Sequence, residues 1–112
     1  MEREASSQLF DPAVMGETLE CPPQQRGPEV VSFNLANEAL GVSVRLDLIE
    51  PRRAVSLYIR GQHAFLGFVH MEAVEQVSID RHKGEVKFSF DRTSSQLSVQ
   101  RGGVFLVSRK TD

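Results

Sequence analysis

The sequence predicts an all-β fold: an antiparallel meander of about six to eight short strands, forming a small barrel or a sandwich, preceded by an irregular N-terminal arm. Three observations lead there. From Val30 onward, β-branched and aromatic residues alternate with polar ones, the mark of strands with one buried face. Short turn signals separate the alternating runs, and parallel pairing would need crossovers of about a dozen residues or more, so neighbouring runs pair as hairpins. Four of the five prolines fall within residues 1–29, which show no sustained period of 2 or 3.6. The division is therefore an arm at 1–29, flexible or irregular, and an all-β domain at 30–112.

In the arm, Pro12, Pro22, Pro23 and Pro28 are punctuated by Gly16 and Gly27. Proline removes a backbone donor and disfavours helix in the residue before it, so Cys21–Pro22–Pro23 reads as extended or irregular. Leu9, Phe10, Val14 and Met15 form an apolar clip able to dock on a partner or on the domain itself.

The first strand turns Val31, Phe33 and Leu35 to one side, and the second turns Val42, Val44, Leu46 and Leu48. The third sets Val55, Leu57 and Ile59 against Ser56, Tyr58 and Arg60. Phe65 to Val69 is almost continuously apolar, so alternation cannot choose its inward face, and burial on both sides is predicted. Val77 and Ile79 begin a fifth strand, Val86, Phe88 and Phe90 mark a sixth, Leu97 and Val99 a seventh, and Val104 to Val107 an eighth. Turns are placed at Glu50–Pro51, Arg60–Gly61–Gln62, Lys83–Gly84, Asp91 to Ser95 and Arg101–Gly102–Gly103. An open loop is expected around Leu35 to Gly41, and one helical turn at Met71 to Gln76.

Composition bounds the function. The chain has 112 residues, 40% hydrophobic and 25% charged, the profile of one ordinary globular domain. A lone cysteine, Cys21, forbids an intramolecular disulfide and suits a reducing compartment, so a cytoplasmic location is expected. No apolar run approaches the ~18 residues of a membrane helix, and the first twenty residues contain no unbroken apolar core of a secretory signal. No membrane partner is expected.

The net charge of -2 is unevenly spread. Residues 1–29 hold six acids against Arg3 and Arg26, whereas residues 81–112 hold seven bases against three acids. An arm at -4 and a C-terminal region at +4 attract one another modestly, in a salt-dependent way. Lys83, Lys87, Arg92, Arg101 and Arg109 are the candidate polyanion-binding or partner-binding residues, because adjacent antiparallel strands would gather their side chains on one face. Phe88 and Phe90 share the inward phase there, leaving few aromatics to stack bases beside those cations.

Chemistry is sparse. His63, His70 and His82 lack metal-ligand spacing, and the serines mostly occupy the polar phase of strands with no G-x-S-x-G elbow. Arg101–Gly102–Gly103 has no Gly-Lys-Ser/Thr, so it reads as a hairpin turn rather than a phosphate loop. No catalytic residue, metal site or cofactor is assigned. The leading expectation is a non-catalytic interaction module that binds a protein partner or a second copy of itself. The alternatives are single-stranded nucleic-acid binding through basic strands 81–110, a small-ligand-binding β-barrel, and an enzyme with its site at the strand ends near His63 or His70.

Overall fold

The structure is a computed structural model and describes residues 10–90 and 95–109. Among these residues, nine strands and one helix follow in the order α1 (Pro12–Leu19), β1 (Gln24–Gln25), β2 (Val30–Asn37), β3 (Val42–Ile49), β4 (Ala54–Arg60), β5 (Phe65–Met71), β6 (Gln76–Asp80), β7 (Glu85–Phe90), β8 (Ser95–Gln100) and β9 (Val104–Arg109). The strands pair in chain order as two antiparallel sheets, β1-β2-β3-β4-β5 and β6-β7-β8-β9. Of the two closures open to the sequence, the sandwich is the one formed. The meander breaks at residues 72–75, and the two sheets face each other instead of closing into a barrel.

The predicted inward phases hold on both sides of the core. Phe33, Leu35, Val44, Leu46, Leu48, Val55 and Leu57 from the five-stranded sheet meet Val86, Phe88, Phe90, Leu97 and Val99 from the four-stranded one in a single buried cluster. Alternation sends every second residue inward, so hairpin registers such as Phe33↔Leu46↔Leu57 line up one apolar row per rung.

Residues 10–29 differ from the irregular arm expected of them. Asp11 caps α1, its Oδ1 accepting from the Val14 N–H at 3.3 Å, and Pro12 occupies the first turn, where its missing N–H would have had no helical partner. Eight residues are too few for a helix to persist alone, so packing holds it. Phe10, Met15 and Leu19 are fully buried, and the Phe10 ring meets Phe88 edge-on at 6.1 Å. Gly16 is required at the contact: a Cβ there would sit 3.0 Å from Cys21 O and Pro23 Cδ and 3.6 Å from Phe33 Cε2. The helix thus bridges β2 of one sheet and β6 and β7 of the other.

Two local expectations are corrected. Met71 to Gln76 makes no helical turn. It leaves β5 as an irregular link, with Ala73 at φ +63° and the Val74 N–H donating to Arg53 O at 2.9 Å. Fixing Val74 in the core lets the chain change sheets in four residues, which leaves no room for a helix. Asn37–Gly41 is a tight hairpin turn instead of an open loop, with the Leu40 N–H donating to Asn37 Oδ1. The predicted turn at Asp91 to Ser95 lies largely outside the described residues.

Candidate functional site

The basic candidates within the described residues are dispersed. Lys83 sits in the β6–β7 turn, where its N–H donates to Asp80 Oδ1, and Lys87 is half-buried on the outward row Ser78↔Lys87↔Ser98↔Leu106. They line an open cleft of about 630 Å³ shared with Arg81, Asp80 and Glu85, so the local charge is mixed. The Glu85 carboxyl lies below its ordinary range, chiefly because Ser98 donates a hydrogen bond to it, with Gln100, Lys87 and Lys83 adding to the effect. Arg109 ends β9 opposite Ser95, at the far end of the sheet from Lys83. Arg92 lies outside the described residues.

Arg101 is occupied in holding α1. Its Nε donates to Thr18 O and its Nη2 to Arg81 O, both at 3.2 Å, while Nη1 lies 3.5 Å from Glu20 Oε2. A cation on a last-turn carbonyl satisfies a group that the helix cannot and complements the negative end of its dipole. Arg81 pairs with Glu17 at 3.5 Å. The acidic N-terminal and basic C-terminal segments thus meet through two exposed pairs, each worth at most about 1 kcal/mol.

The outward face of the five-stranded sheet has richer chemistry. One cross-strand row runs Ser32↔Asp47↔Ser56↔His70. Ser32 Oγ donates to Asp47 Oδ1 at 2.6 Å. His70 Nε2 lies 3.0 Å from Glu72 Oε2 and Nδ1 lies 2.7 Å from Ser56 Oγ. With Nε2–H donated to Glu72, Nδ1 accepts from the Ser56 hydroxyl. The His70 bond is the main reason that the Glu72 carboxyl lies below its ordinary range.

A serine, a histidine and a carboxylate in sequence resemble the parts of a hydrolytic relay. Ser56, however, is only 3% exposed on the flat face of a sheet, so a substrate carbonyl has no approach to its Oγ. The row fastens β5 to β4 by side chains in addition to the backbone ladder. Charge and spacing along the sequence do not supply Ser56 as a partner for His70, since only the β4–β5 register makes them neighbours.

The adjacent row, Asn34↔Arg45↔Tyr58↔Phe68, is aromatic and cationic. The Arg45 guanidinium lies 4.2 Å from the centre of the Tyr58 ring, and Phe68 packs on the other side of the hairpin with ring centres 4.8 Å apart. Arg45 Nε is 3.2 Å from Asp47 Oδ1, close enough for an ion pair, but the angle makes no hydrogen bond and the atom is buried. Alternation in β3 and β4 places Arg45 and Tyr58 in the polar phase, and a hairpin centred on residues 51–52 sets them opposite, so this contact was recoverable from sequence.

Beside this row runs β5, which corrects the prediction of a strand buried on both faces. Phe65–Met71 is an edge strand, with Phe65, Leu66 and Phe68 exposed by 59%, 58% and 49%. Among the described residues, no second sheet covers the outer side of this apolar run. Comparison with protein-family models, curated proteins and solved structures finds no match for this chain.

Proposed function

We propose that this chain is a non-catalytic protein-interaction module that pairs with a second copy of itself along β5. The carrying observation is the edge strand FLGFVHM, seven residues long, without a lysine, a proline or an acid, and with three large apolar side chains exposed. Edge strands that stay single are kept so by such residues or by a covering element, and an unguarded one offers a row of unpaired backbone groups to another strand. Antiparallel pairing about a two-fold axis at Phe68 sets Leu66 against His70 of the second copy and Phe68 against its own counterpart. No like charges meet in that register, and the two five-stranded sheets become one.

The test is the molar mass in solution by light scattering across a concentration series, for the natural chain and for Phe68→Lys. A dimer that the lysine variant converts to a monomer, with an unchanged far-ultraviolet spectrum, supports the reading. A natural chain that stays monomeric at its highest soluble concentration overturns self-pairing.

A further inference from the structure

We infer that the outward face of the five-stranded sheet carries a binding cleft for a nucleotide unit, a planar base with its phosphate. The cleft, about 470 Å³, lies at the end of the hairpins where Asn34, Arg45, Tyr58 and Arg60 meet Gln62 and Phe65 of the β4–β5 turn. That volume falls within the ~300–1,000 Å³ of small-molecule sites.

The backbone builds this cleft through a bulge. Tyr58 pairs with Phe68 and Ile59 with Gly67, but Arg60 pairs with Phe65, so the register shifts between Ile59 and Arg60. Phe65 and Phe68 are three residues apart, and in a regular strand they would face opposite sides of the sheet. The extra residue turns both outward, Phe65 opposite Arg60 and Phe68 opposite Tyr58, which is a recurrent use of bulges near binding sites.

The charge favours an anion. Among the described residues no carboxylate lines this cleft, in contrast to the cleft beside Lys83 and Lys87, which contains Asp80 and Glu85. Arg45 is partly offset by Asp47, whereas Arg60 is exposed and makes no ion pair among the described residues. A guanidinium forks onto two phosphate oxygens at once. The exposed Phe65 ring and the plane of Arg45 supply stacking surfaces, and stacking tolerates any base. The Gln62 amide offers both donors and acceptors to a base edge, while Asn34 already donates from Nδ2 to Gln24 Oε1 at 3.1 Å and keeps its amide oxygen as an acceptor. The ingredients that single-strand binders combine, cations and aromatics on one face, are therefore together here and apart on β6–β9.

Tyr58 is the sole tyrosine in a chain without tryptophan, so intrinsic emission reports on this cleft alone. The experiment titrates the full chain with adenosine monophosphate and, separately, with a short single-stranded oligoadenylate, following tyrosine emission corrected for absorption by the base. Saturable change with both probes assigns the site to the nucleotide itself, and change with the oligonucleotide alone assigns it to a nucleotide within a strand. Either upholds the inference. Arg60→Gln should then weaken binding by at least ~10-fold, as expected for one lost charged contact, while Lys87→Glu leaves it unchanged. No change in emission with either probe overturns the inference, as does binding that Lys87→Glu abolishes and Arg60→Gln spares. Phe68→Lys, which tests self-pairing, keeps the two readings separable because Phe68 does not line the cleft.

Discussion

The two flanks of the sandwich are built on opposite principles. On one, α1 spans from β2 to β6 and β7, buries Phe10, Met15 and Leu19, and is tied down by Arg101. The bare edges are β5 and β9, which end their separate sheets with Phe65, Leu66, Phe68, Val104, Leu106 and Val107 substantially exposed. Apolar area in water is unfavourable by roughly 25 cal/mol per Å², so covering one flank and leaving these edges bare is a division of labour. The covered flank supplies stability. On the proposed reading, the bare edge of β5 is where a second copy gains most by binding.

Phe10→Ala should strike the covered flank hardest, because it removes the Phe88 contact and leaves a cavity. A loss of about 3–5 kcal/mol is expected from urea unfolding. If the loss is small, α1 is an appendage and not part of the core. Gly84→Ala comes next. Gly84 adopts φ +67°, and a Cβ there would lie 2.2 Å from Arg101 Nε, expelling the guanidinium from Thr18 O and Arg81 O. Backbone strain of about 1–2 kcal/mol joins the lost hydrogen bonds, and faster hydrogen exchange should appear in α1 first.

Asp11→Ala removes the helix cap and should cost about 1 kcal/mol by the same unfolding assay. Substituting Phe68 by serine sharpens the contrast from the other side. Monomer stability should change little, since the ring is half exposed, although its contact with Tyr58 goes, and a drop comparable to that of Phe10→Ala would mean that β5 belongs to the core.

The smallest effect expected is one of pH. Glu72 and Glu85 both titrate below the ordinary 4.5 because they accept hydrogen bonds from His70 and Ser98. A depressed carboxyl favours the folded state fully above pH 4.5, and that contribution fades as the pH falls below 4.5 through the lowered values. Melting midpoints of Glu72→Gln and Glu85→Gln should therefore converge on that of the natural chain at acid pH. Parallel curves would remove these carboxyls from the account.

Periodicity was informative wherever a strand had one wet face. Val44, Leu46 and Leu48, or Val86, Phe88 and Phe90, point inward as alternation predicts, because a pleated strand fixes that choice residue by residue. It failed at Phe65 to Val69, where an apolar run carries no phase, and at Pro12–Leu19, where a short helix containing Gly16 has little intrinsic preference. Arg101 reads in sequence as one more base in a positive stretch, yet its partner Thr18 is 83 residues away.

Strand phase, hairpin order and the lack of a cysteine pair follow from the order of residues, since each depends on neighbours within one or two turns of chain. Which edge α1 covers, which stays bare, and where Arg45, Tyr58, Arg60 and Phe65 converge depend on how the sheets stack and where the ladder slips. These follow from packing the whole core, because burial is shared among distant segments and no single stretch encodes it.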